Sequence, residues 1–112
     1  MTTDVYQQYF RAEANVNDVP RRAAVVKLTA DSECGMIRYT VSVNFFPFRD
    51  DEDFAVSYDA YYECEIFNAK GRRSKKREKV FMEDLREVAN TIAAEHGGVI
   101  DWEAPIRDAV LA

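Results

Sequence analysis

Met36-Ile-Arg-Tyr-Thr-Val-Ser-Val-Asn-Phe-Phe46 decides the fold. Ile37, Tyr39, Val41, Val43 and Phe45 fall on one side of an extended chain, and Arg38, Thr40, Ser42 and Asn44 on the other. Strand side chains alternate with period 2, so this pattern predicts a strand with one face on a core and one polar face, as in antiparallel sheets. Pro47 and the acidic run after it end the strand. Upstream, Asp31-Ser-Glu-Cys-Gly35 has turn chemistry, with Gly35 free to take a positive φ. Before that turn, residues 23–30 set Ala24, Val26, Leu28 and Ala30 on one face of a second strand. Downstream, residues 54–67 repeat the alternation. Phe54, Val56, Tyr58, Ala60, Tyr62, Cys64 and Ile66 point inward, and Ser57, Asp59, Tyr61, Glu63 and Glu65 point out.

From Phe81 the apolar period changes to 3.6. Phe81, Leu85, Val88, Ala89 and Ile92 form the stripe of an amphipathic helix, with Glu83 and Asp84 in its first turn and Gly97-Gly98 at its end. Val99-Ile-Asp-Trp102 reads as a short last strand, and Pro105 opens a final turn or short helix carrying Ile106 and Val110. At the other end, Val5/Tyr9 and Tyr6/Phe10 are i,i+4 pairs, which predict a short helix over residues 4–14 capped by Thr3 or Asp4. Residues 15–22, with two Asn, an Asp and Pro20, read as a connection. The expected fold is α+β in two layers. A mostly antiparallel sheet of three to four strands is covered on one face by a main helix, with a short N-terminal helix, in a single domain of residues 1–112. The uncovered face would carry Lys27, Arg38, Thr40, Ser42, Asn44, Asp59, Tyr61, Glu63 and Glu65 towards water or a partner.

Composition bounds the function. With 47% hydrophobic residues, 4 Gly and 3 Pro in 112 residues, the chain is neither disordered nor a low-complexity repeat. Two cysteines make no secreted disulfide framework, no apolar run approaches the ~20 residues of a membrane helix, and Met1-Thr-Thr-Asp-Val opens no signal peptide. The expected setting is cytoplasmic, with no membrane partner.

The net charge of −5 conceals two blocks. Residues 70–79 carry Lys70, Arg72, Arg73, Lys75, Lys76, Arg77 and Lys79 against Glu78, a net of +6. Residues 50–65 carry Asp50, Asp51, Glu52, Asp53, Asp59, Glu63 and Glu65 with no base, a net of −7. The basic block is expected to project as a loop between the long strand and the helix, where its cations suit phosphate contacts. Phe67 and Phe81 only flank it, so it lacks the interleaved aromatics of a single-strand stacking platform. A solvated connection accounts for it as well. In the acidic block, residues two apart on a strand are about 6.6 Å apart, so Asp59, Glu63 and Glu65 lie in a row along the exposed face. Such a row can imitate nucleic acid before a basic groove, and Tyr58, Tyr61 and Tyr62 add aromatic anchors. An ordinary soluble face is the plainer account.

Catalytic and metal chemistry have little to stand on. The contiguous Asp50–Asp53 acids lack the alternation and central Gly of a calcium loop. His96, the one histidine, sits at a helix C-terminus, where a structural role with the dipole suffices. A Cys–His dyad needs Cys34 or Cys64 beside it. Cys64 is expected in the core, and Cys34 in a turn. No paired ligand spacing marks a zinc site, and no Gly-rich loop marks a nucleotide.

We therefore expect no catalytic residue, no metal and no cofactor. The expected function is that of a non-enzymatic acidic inhibitor or regulator. It would bind a basic, nucleic-acid-handling protein partner through Asp50, Asp51, Glu52, Asp53, Asp59, Tyr61, Glu63 and Glu65. Small acidic phage proteins that block host nucleases or CRISPR complexes use this physical principle. The competing expectation is an RNA- or DNA-binding module using residues 70–79. A polar strand face or an open edge also suits a twofold dimer.

Overall fold

The computed structural model describes residues 1–47, 60–106 and 110–111. Six strands, β1 (Thr2–Val16), β2 (Val19–Glu33), β3 (Met36–Phe46), β4 (Tyr61–Lys70), β5 (Val99–Pro105) and β6 (Val110–Leu111), accompany one helix, α1 (Lys75–Glu95), between β4 and β5. Every pairing is antiparallel, in the order β4-β3-β2-β1-β5, and the two-residue β6 also pairs with β1. The fold is α+β as expected, but with five principal strands instead of three to four.

No N-terminal helix is present, because residues 4–14 lie within β1. The i,i+4 spacing that suggested a helix is also two full periods of a strand. Tyr6 and Phe10 stand opposite Leu28 and Ala24 of β2, and Tyr9 stands opposite Val25. The aromatic and β-branched content of Val5, Tyr6, Tyr9 and Phe10 suits that pleated surface. A register shift between Asp4 and Tyr6, and another between Arg11 and Ala14, blur the alternation along the chain.

The expected connection over residues 15–22 shrinks to two residues. Asn17 and Asp18 take φ of 53° and 62°, joining Val16 to its partner Val19. Two successive positive φ values make a type I′ turn, whose twist matches that of the flanking strands. Cys34 and Gly35, at φ 52° and 75°, join Glu33 to Met36 in the same manner. The turn expected over residues 31–35 is thus confined to its last two, and β2 runs longer than residues 23–30.

The alternation of β3 reads correctly on its core side. Ile37, Tyr39, Val41, Val43 and Phe45 are all fully buried, against Ala24, Val26, Leu28 and Ala30 of β2. Helix α1 lays Leu85, Ala89, Ile92 and Ala93 on this surface. Each fully buried Leu or Ile contributes about 1.5–3 kcal/mol. The opposite face departs from expectation: Thr40, Ser42 and Asn44 are buried, at 8%, 3% and 3% exposure. That face carries its own small apolar cluster, Ala23, Val25 and Phe46, packed by Tyr9 and Ile106.

In β4 the strand pattern holds from Tyr61, and residues 54–59 lie outside the described set. A register shift between Tyr39 and Thr40 makes Ile66 the extra residue, so Phe67 stands opposite Tyr39, and Cys64 and Tyr62 opposite Val41 and Val43. Pro105 ends β5 opposite Phe10, Ile106 donates its N–H to the Tyr9 carbonyl (2.9 Å), and Val110 belongs to β6. The final turn or short helix expected after Pro105 would fall on residues 107–109, which lie outside the described residues. Among the described residues, no helix is long and apolar enough to cross a membrane.

Candidate functional site

The basic block is not a loop along most of its length. Strand β4 ends at Lys70, Gly71 turns the chain at φ 131°, and α1 begins at Lys75, six residues before the apolar stripe at Phe81. Lys75 to Lys79 are therefore the first turns of the helix, and Glu83 and Asp84 fall in its third. Ser74 is the N-cap, its side-chain oxygen accepting the Arg77 N–H (3.3 Å).

Glu78, the single acid of the block, explains why the helix starts there. It is buried, and its carboxylate accepts Arg73 Nη2 at 2.9 Å, Arg73 Nε at 3.1 Å and the Tyr39 hydroxyl at 2.6 Å. The same hydroxyl accepts the Ser74 N–H (3.0 Å). Tyr39, fully buried in the middle of the sheet, thus carries its polar tip to the helix start. The Arg73 fork holds the Glu78 carboxyl below the usual carboxylate range, opposed by burial and aided by Tyr39. Burial, with the Glu78 hydrogen bond, pushes the Tyr39 phenol up. Around this network pack Phe81 and Phe67, with ring centroids 4.9 and 6.1 Å from Tyr39.

The seven cations separate into two groups. Arg73 is committed to Glu78, and the Arg77 guanidinium lies over the Phe67 ring at 4.6 Å. Lys70, Arg72, Lys75, Lys76 and Lys79 are exposed and form no ion pair among the described residues. Four cations, Lys75, Lys76, Arg77 and Lys79, occupy the first five residues of a helix whose N-terminus is already the positive end of its dipole. The last turn, where a cation would stabilise, holds Glu95 and no base. The charge order of α1 runs against its own macrodipole.

Of the acidic set, Asp50, Asp51, Glu52, Asp53 and Asp59 lie outside the described residues, as does Tyr58. Tyr61, Glu63 and Glu65 are exposed on β4, opposite Asn44, Ser42 and Thr40. Tyr61 donates its hydroxyl to Glu63 (3.0 Å). Glu65 accepts Asn68 Nδ2 (3.2 Å) and lies 3.9 Å from Arg38, which also reaches Asp31 at 3.6 Å. One arginine therefore offsets two of the face's carboxylates.

Cys64, expected in the core, is exposed. It stands on the helix side of β4, but α1 leaves a groove there. Half-buried Tyr62 and Val88 and buried Ile92 line the groove together with Glu63, Cys64, Glu87, Glu95 and His96. His96 is the C-cap of α1, and its ring stacks on Tyr62 with centroids 3.4 Å apart and planes 8° from parallel. Gly97 and Gly98 donate their N–H groups to Ala94 and Ala93, closing the helix in a Schellman motif. Gly98 also has no room for a side chain: a Cβ would sit 2.6 Å from Phe45 Cζ.

The histidine and one cysteine thus come to a common groove, which sequence could not establish. Among the described residues, no group of three or more His, Cys, Asp or Glu could hold a metal ion. Cys34 is exposed at the β2–β3 turn. Trp102 stacks edge-on against Phe10 (4.8 Å) and donates Nε1–H to Asn90 (2.8 Å). The two residues that sequence reasoning passed over are Ser74 and Glu78. A capping residue followed by a lone acid in a basic run was their signal. Comparison with protein families, curated proteins and solved structures finds no match for this chain.

Proposed function

We propose that this protein is a non-enzymatic binding module that grips the phosphate backbone of RNA or DNA with the basic segment of residues 70–79. One observation carries the reading. Lys70, Arg72, Lys75, Lys76 and Lys79 are exposed and form no ion pair among the described residues, and Lys75 and Lys76 stand in the first helical turn, where the dipole disfavours them. Each such placement costs about 0.3–1 kcal/mol of helix stability, so folding does not account for it. Phosphates would satisfy both the cations and the helix end.

The test is fluorescence anisotropy with short labelled RNA, single-stranded DNA and duplex DNA at low and moderate salt. The variant R72A/K75A/K76A/K79A leaves out Arg73, which the Glu78 network needs. Wild-type affinity should fall steeply with salt, and the variant should lose about 0.7–0.9 of log–log slope per lost phosphate contact, roughly 3 in all. No binding at low salt, or an unchanged slope in the variant, refutes the reading.

A second reading keeps the acidic surface as the site of a basic protein partner, which the molecule would inhibit or regulate in place of nucleic acid. Its support has moved from the outer row to the helix side of β4. Glu65 and Asp31 share Arg38, whereas Glu87 and Glu95 border a groove with no Lys or Arg among its described lining residues.

A further inference from the structure

We propose that the groove between β4 and the second half of α1 seats an extended basic segment of a protein partner, with alternate apolar side chains pointing into it. The inference rests on the second reading above and gives that partner a place and a chemistry. Two walls define the groove. On the helix, Glu87 and Glu95 are two turns apart on one ridge, and Val88 and Ile92 form the next ridge inward. On the strand, Glu63 and Cys64 are exposed, and Tyr62 is held flat by the stacked His96 ring. The lining is thus apolar at depth and acidic along the helix rim, with the carboxylates of Glu87 and Glu95 and, among the described residues, no Lys or Arg.

Neither of these two carboxylates has an ion pair among the described residues. Glu95 also sits in the last helical turn, where a negative charge opposes the dipole and a lysine would be favoured. Residues 87 to 95 cover about 12 Å of helix, the reach of an extended segment of about four residues. An alternation of Lys or Arg with Val or Leu matches both rim and depth, since strand side chains point to opposite sides in turn.

The protein supplies its own reporters. Cys64 lines the groove, Cys34 is at the far β2–β3 turn, and both are exposed free thiols. A labelled Lys-Val-Lys-Val-Lys-Val peptide is titrated by anisotropy, with Lys-Gly-Lys-Gly-Lys-Gly as the purely electrostatic control. Alkylation of each cysteine is then timed by mass spectrometry with and without saturating peptide. The Val peptide should bind about tenfold more tightly than the Gly peptide. It should slow Cys64 alkylation about tenfold and leave Cys34 unchanged. The variant E87K/E95K should weaken binding about tenfold while its melting temperature holds or rises, because Lys at position 95 suits the helix end. If both peptides bind equally, and Cys64 reacts as fast as in the free protein, the groove is overturned and the acidic partner surface survives elsewhere. If neither peptide binds at low salt, the acidic-partner reading itself falls.

Discussion

Replacing Glu78 with Gln tests whether one buried carboxylate sets the start of α1. The substitution keeps the shape and removes the charge. One amide oxygen can still accept from Tyr39 or from Arg73, but the new NH2 group must face another donor. At least one charge-assisted hydrogen bond is lost, worth about 1.5–3 kcal/mol. The Arg73 side chain, 35% exposed, can turn to water and recover part of that. We expect about 2 kcal/mol at pH 7, or a fall in Tm of roughly 8–10 °C for a chain of this length. The assay is urea unfolding followed by circular dichroism, repeated from pH 7 to pH 3. In the wild type the Glu78 carboxyl lies below its ordinary value of 4.5. Its contribution is therefore complete above that value and disappears as pH falls through the lower folded-state value. The glutamine has nothing to titrate, so the gap between the two proteins should close in acid. A gap under about 0.5 kcal/mol at pH 7, or one as large at pH 3 as at pH 7, refutes the argument.

Two further substitutions probe the backbone. Gly98→Ala forces a methyl to within 2.6 Å of the buried Phe45 ring, and overpacking of this kind costs about 1–3 kcal/mol in a thermal melt. Asp18→Gly relieves a left-handed residue in the β1–β2 turn, and Asn-Gly is the favoured type I′ pair, so stability should rise by about 0.5–1 kcal/mol. A melt of the Asp18 variant at or below the wild-type value would show that the turn conformation carries no such strain.

The parts legible in the sequence are those where one period prevails. Residues 36–46 and the stripe from Phe81 to Ile92 admit a single reading, and both are found on the core. Residues 4–14 admitted two, because a spacing of four belongs to helix and strand alike. Local composition favoured the strand, and pairing with β2 and β5 over distant sequence confirms it. The polar side of β3 was misjudged because burial depends on what lies across it, which alternation does not encode. Among the site residues, the cationic character of residues 70–79 was plain, but its division was not. Buried Glu78, held by a Tyr39 hydroxyl 39 positions away, withdraws Arg73 from the surface set. Cys64 looked like core because it alternates with Tyr62 and Ile66, yet the second half of α1 leaves an open groove over it.

Strand β1 lies between partners from opposite ends of the chain. Its pairing with β2 closes over a two-residue turn, as does that of β2 with β3, so the first three strands can zip together from local contacts. Its other edge waits for β5, whose pairs such as Glu13 with Val99 and Phe10 with Pro105 close loops of some 90 residues. During synthesis from the N-terminus, that edge is the last of the principal pairings to be filled. A nascent chain that has not reached Val99 therefore presents the backbone of residues 10–13 unpaired, on a strand rich in aromatic residues. In that interval the hazard is edge-to-edge association between neighbouring chains, and β5 acts as the cover that removes it.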